Sequence, residues 1–201
     1  MFATIRKAAM ALCVAIMIGP GLSAQAGYVV TLEQVGSNVV ATGMGPIDLT
    51  GLTFAFTNPL VPGIAGGSGL ILTGPEFVNS DDYSAINGPT SFGPPNSGES
   101  IGQGSGDVVG VCATECSNVS TLIVPDGYVS DSPLSSTTTY SSQTFASLGV
   151  TPGTYKWTWG TGANQSFTLD IVAHAVPEPA SLTLLALGLA GLGVVLRTRR
   201  V

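Results

Sequence analysis

Short β-prone runs, each cut off by glycine, proline, serine or asparagine, follow one another through the middle of this chain. Tyr28–Leu32, Asn38–Thr42, Ile47–Phe56, Leu70–Thr73, Asp107–Cys112, Ser120–Val124, Thr137–Tyr140, Tyr155–Trp159 and Ser166–Val172 read as strands. The alternation is clearest where Leu52, Phe54 and Phe56 share one face, and again at Phe167, Leu169 and Ile171. No stretch in the middle carries a helical period. Regular short strands with frequent turn signals predict an all-β fold, an antiparallel β-sandwich or jelly roll. Gly63–Gly69 and Gly74–Gly106 have few strong strand formers and read as long surface loops.

The two ends belong to a different kind of sequence. Arg6 and Lys7 precede an apolar run, Ala8–Ile18, that is too short for an ordinary membrane span. Gly19-Pro20-Gly21 then breaks the helix, and Ala24-Gln25-Ala26 forms an A-x-A cleavage pattern. Residues 1–26 therefore read as a secretory signal peptide, with signal peptidase cutting after Ala26 and a mature start at Gly27. No lipobox precedes Cys13. At the other end, Val176-Pro177-Glu178-Pro179-Ala180-Ser181 leads into an uncharged run ending at Leu196, followed by Arg197-Thr198-Arg199-Arg200-Val201. Residues 180–196 make a helix of about 25 Å, at the short end for a single transmembrane span. Arg197, Arg199 and Arg200 act as a membrane stop held in the cytoplasm, which leaves the domain outside. The organisation is thus a signal peptide at 1–26, a domain at 27–173 and a tail at 174–201.

Charge is divided just as sharply. Between Gly27 and Val176 the only basic residue is Lys156, against eleven acids, for a net charge of −10. Such a domain repels nucleic acid and anionic membrane surfaces. It attracts divalent cations or a basic partner.

The three-part tail resembles the PEP-CTERM sorting signal. The resemblance rests on Pro177, Glu178 and Pro179 in a V-P-E-P-A-S context, the short apolar helix and the terminal arginines. A tail of this kind also goes under the description ice-binding protein C-terminal, which says nothing of ice binding by the domain ahead of it. The resemblance implies recognition by an exosortase, a membrane-embedded cysteine peptidase that cuts near the motif. It implies an inner-membrane-anchored precursor, later released to the cell surface or medium. It also implies an association with bacteria that make exopolysaccharide and biofilm matrix. Leu148-Gly149-Val150-Thr151-Pro152-Gly153-Thr154-Tyr155 looks like the tyrosine corner of Ig-like and fibronectin-type sandwiches. There the tyrosine hydroxyl bonds back to upstream backbone, and here the strand it opens would pair with Ser166–Val172. The wider segment Phe145–Leu169 also resembles one found in a recurrent group of PEP-CTERM proteins of unknown activity.

Few residues offer chemistry. The only histidine, His174, sits at the edge of the tail linker, so Ser-His-Asp and Cys-His sites lack a partner inside the domain. Cys112 and Cys116 are too few for a structural zinc site. In an oxidising compartment they are expected to form a local disulfide rather than a redox pair. No cofactor is expected. Asp81-Asp82 and the loop from Glu99 to Asp107 are the weak candidates for calcium, without a D-x-D-x-D-G loop. A glycosidase would need two facing carboxyls, and no pair stands out. Tyr155, Trp157 and Trp159 share one strand face. Exposed, they form a stacking platform for sugars; buried, they fill the sandwich core, and the alternation with Lys156 and Thr158 agrees with the core. The expectation is a non-catalytic exported protein of the cell surface or matrix, in contact with polysaccharide. The alternatives are a carbohydrate-active enzyme with two carboxylates and a calcium-dependent adhesion module.

Overall fold

The computed structural model describes residues 27–114 and 119–173. The expected signal peptide, with Ala24 and Ala26, and the expected sorting tail with its transmembrane helix lie outside the described residues, as does Cys116. Among the described residues no helix is long and apolar enough to cross a membrane.

Strand-forming segments dominate, as the alternation requires. In chain order they are β1 (Tyr28–Val35), β2 (Asn38–Pro46), β3 (Thr53–Leu60), β4 (Gly63–Ala65), β5 (Leu70–Thr73), β6 (Val78–Ser84), β7 (Ser100–Ile101), β8 (Gln103–Gly106), β9 (Val109–Cys112), β10 (Thr121–Pro125), β11 (Pro133–Tyr140), β12 (Gly153–Thr158) and β13 (Ser166–Val172). Among the described residues a single 3-10 turn, Gly66–Ser68, interrupts them. They form a six-stranded sheet ordered β12-β13-β1-β2-β11-β8 and a seven-stranded sheet ordered β3-β6-β10-β9-β5-β4-β7. The two sheets pack face to face as a β-sandwich. Among the described residues all pairings are antiparallel but one: β1 and β13 run parallel inside the six-stranded sheet. The expected all-β sandwich is thus present as two antiparallel-rich sheets, with one parallel pair inside it.

Alternation decides which side chains meet between the sheets. Val30 and Leu32 on β1, Phe167 and Leu169 on β13, and Trp157 on β12 face Ile71, Val109, Val111 and Leu122 of the opposite sheet, all buried. The Trp157 and Phe167 rings meet edge to face with centroids 5.8 Å apart. Each fully buried large side chain of this kind contributes about 1.5–3 kcal/mol. One polar seam crosses the core. The Tyr28 hydroxyl lies 2.7 Å from Ser136 Oγ, which lies 2.6 Å from Thr73 Oγ1 of the other sheet. Thr73 in turn donates to the Val109 carbonyl at 2.8 Å. Burial pushes the Tyr28 hydroxyl up to about 12, so it stays protonated and able to donate. Gly43 is required beside it, because a Cβ there would fall on that hydroxyl.

The stretch expected to be surface loop is the main correction. It supplies β6, β7 and β8. It also carries Ile86 and Phe92 into the core. Asn87 bridges to Thr158, and the Phe92 N–H donates to the Gly66 carbonyl, so the segment seals one side of the sandwich. β6 hides in the sequence because Ser80, Asp81 and Asp82 replace the usual apolar residues. Ser80 and Asp81 are buried all the same, because Ser80 donates to the Asn58 carbonyl, and Asp81 accepts from Thr57 Oγ1 and the Gly127 N–H. Ile47–Phe56 is also displaced. Residues 47–52 are loop, and the strand runs from Thr53 to Leu60. A bulge at Ala55 moves Phe54 and Phe56 onto opposite faces, with 53% and 40% of their surfaces exposed.

Candidate functional site

The outer face of the six-stranded sheet is built from the residues that alternate with the core. Register sets them in rows across the strands. The central row runs Thr154, Asp170, Thr31, Thr42, Thr137, Ser105 over all six strands. The row on one side is Lys156, Thr168, Val29, Met44, Ser135. On the other it is Val172, Glu33, Val40, Thr139, Gln103. Neighbouring positions within a row are about 4.8 Å apart, the spacing of strands in a sheet. Among the described residues, the hydroxyls of the central row make no side-chain hydrogen bond within the protein, so their donors and acceptors are available to a ligand. Val29, Thr31, Glu33, Val40, Thr42 and Met44 line an open depression of about 420 Å³ on this face. Glu33 and Asp170 give the face its negative charge, and Lys156 stands at the β12 edge.

The aromatic trio goes the other way. Trp157 is fully buried and Trp159 nearly so. Their indole N–H groups donate to the Pro89 carbonyl at 3.0 Å and the Asp48 carbonyl at 2.7 Å. Neither indole offers a face to a sugar ring, so the stacking platform gives way to the core reading. Tyr155 is half-buried against Phe92, with centroids 5.8 Å apart. Its hydroxyl donates to the Thr151 carbonyl at 3.0 Å, four residues upstream, which is the tyrosine corner the Pro152-Gly153 turn predicts.

The acidic pair does not converge. Consecutive residues of a strand point to opposite faces, so Asp81 turns inward and Asp82 outward. Asp82 is buried beside Ile123, and its Oδ1 has no hydrogen-bond partner. Burial, and then the nearby Asp81 charge, push its carboxyl up to about 6. Asp107, at the end of the other candidate loop, instead accepts from the Ser135 N–H at 2.8 Å. Among the described residues no three metal-ligating side chains come together. Cys112 is disulfide-bonded at the end of β9, and its expected partner, Cys116, lies outside the described residues.

The tail supplies the decisive comparison. The family model for the PEP-CTERM protein-sorting motif matches residues 175–200. The chain carries a PEP-CTERM sorting motif. The match supports export and sorting through exosortase, with Pro177, Glu178 and Pro179 inside the matched segment. No curated protein and no solved structure matches the chain. The sorting motif was legible in sequence because its information is local. The hydroxyl rows were not, because they join residues up to 139 positions apart (Thr31 to Asp170) and exist only once register is fixed. Their signal is the recurrence of Thr at outward positions in the runs around Thr31, Thr42, Thr137 and Thr168.

Proposed function

We propose that this chain is a non-catalytic matrix protein that holds exopolysaccharide on the outer face of its six-stranded sheet. The observation that carries this reading is the central row of five hydroxyls and one carboxylate, spaced at the strand repeat across the whole sheet. A polysaccharide is a repeating array of hydroxyl donors and acceptors. A flat, regularly spaced array meets many of its sugars at once with weak individual bonds, which sum through multivalency. Polar side chains fixed on strands lose little entropy on binding, which favours the array over a loop site. The sorting motif supports the location, since export to the cell surface would bring the domain to such polymers.

The test is co-sedimentation of the mature protein with exopolysaccharide isolated from the exporting cells. Thr42→Glu and Thr137→Glu place charge in the middle of the row without touching the core. Each is expected to lower the bound fraction about tenfold, the equivalent of roughly 1.4 kcal/mol. Unchanged binding in both variants rejects the face. Shortening of the polymer during incubation rejects the non-catalytic reading.

A further inference from the structure

We infer that the polymer held by the outer face of the six-stranded sheet is an extended, β-linked, uncharged polysaccharide that lies across the strands rather than along them. The inference rests on the polysaccharide-binding reading above and assigns the linkage, charge and direction of the chain. The central row runs through three adjoining depressions. One, of about 350 Å³, takes in Thr154, Asp170 and Thr31. The depression of about 420 Å³ along β1 and β2 shares Thr31 with it and takes in Thr42. A third, of about 190 Å³, shares Thr42 and Met44 with the second and takes in Thr137 and Ser105. The whole row thus lies on one path that crosses the sheet from β12 to β8.

Spacing selects the linkage. Successive depressions are set about two strands apart, or about 10 Å. A disaccharide of an extended β-linked chain has close to that length, so each pair of sugars meets the next depression. An α-linked glucan coils and leaves the row after the first. Twist selects a single chain over a crystalline surface. The sheet turns by about 20–25° from strand to strand. A free chain turns with it at its glycosidic bonds, whereas a flat crystal face parts from the sheet.

Charge excludes acidic polymers. Asp170 stands in the row, and Glu33 lines the central depression. Lys156, the only Lys or Arg between Gly27 and Val176, lies in the neighbouring row at the β12 edge. A chain of uronate or sulfated sugars brings repeated negative charge to a domain whose net charge is already −10, and is repelled along its length. Uncharged sugars meet the free hydroxyls of the row without that penalty.

Titration calorimetry of the mature protein with cello-oligosaccharides of increasing length tests this. Affinity is expected to rise about tenfold with each added disaccharide and to level off at about six sugars, the width of the sheet. Cellohexaose should bind at least about tenfold more tightly than maltohexaose or an oligomannuronate of equal length. Thr154→Glu and Ser105→Glu block the two ends of the path at exposed positions, and each should move the plateau to about four sugars. Thermal unfolding checks that both variants fold, and the length series on the unaltered protein stands even if one does not. A plateau at the disaccharide, equal binding of maltohexaose or oligomannuronate, or a plateau unmoved in both variants overturns the inference. Failure to bind any cello-oligosaccharide while the isolated exopolysaccharide still sediments with the protein overturns it too. If neither binds, the reading it rests on falls as well.

Discussion

Asp82 is a carboxylate placed where the fold has nothing to neutralise it. It faces the outer side of the seven-stranded sheet, next to Ile123 and diagonal to Asn58, whose Oδ1 also lacks a partner. The nearest charge of known influence is Asp81, which has the same sign. Burial raises its carboxyl from 3.8 to about 6. Between those two values the folded state binds more protons than the unfolded state, so stability falls as pH rises through that window. Above about pH 6 the cost levels off at something on the order of 2 kcal/mol. The mature protein should therefore melt at a higher temperature near pH 5 than near pH 7. Asp82→Asn, which cannot titrate, should flatten that part of the profile. If the variant keeps the same slope between pH 4 and 6, another group is responsible.

At the scale of the element, the tyrosine corner shows how a local signal fixes a strand. Pro152 and Gly153 turn the chain, Gly153 with φ of 154°, and the Tyr155 hydroxyl ties the new strand back to Thr151. Tyr155→Phe keeps the ring against Phe92 and removes only that bond. It should cost about 1 kcal/mol, or roughly 3 °C in melting temperature for a domain of this size. A loss no larger than that of Thr154→Ala, on the outer face, would mean that water replaces the bond without penalty. β12 and β13, like β1 and β2, were legible because their apolar residues alternate, and β5 because Leu70-Ile71-Leu72 is a short apolar run bounded by Gly69 and Gly74. β6 was not, because its buried positions are polar and their hydrogen-bond partners, Asn58, Thr57 and Gly127, are distant in sequence. The phase of β3 was misread for a different reason. The single extra residue at Ala55 shifts the register, and period-2 reasoning carries no warning of a bulge. The candidate site was the least legible part. Each threonine is unremarkable in its own strand, and the row appears only when six strands are in register.

At the scale of the whole described domain, its first and last strands lie side by side in one sheet, with Gly27 and Val172 toward opposite ends of it. β1 and β13 are adjacent and parallel, so Gly27 lies beside the start of β13, and Val172 pairs with Glu33 farther along β1. Gly27, with φ of 88°, is packed so closely on Ser166 that a Cβ would strike it, and its N–H reaches Asn164 Oδ1 at 3.4 Å. A cut after Ala26 would thus leave only one residue ahead of β1, and no ragged leader. At the other end Val172 is the last strand residue, and the sorting match begins at 175. A protease acting at Pro177–Pro179 therefore works within a few residues of a folded sheet. The sandwich is complete before that point, so removal of the tail should not unfold the domain. Mass spectrometry of both termini on native protein should find chains beginning at Gly27 and ending near Pro177–Ser181 in the surface and medium fractions. Replacing Pro177, Glu178 and Pro179 by alanine should leave chains ending at Val201 in the inner membrane, with the melting temperature of the domain unchanged. If native chains in the surface fraction still end at Val201, the tail is a permanent anchor and processing by exosortase does not occur. If the alanine variant is processed normally, recognition rests on the apolar run and the arginines rather than on the motif.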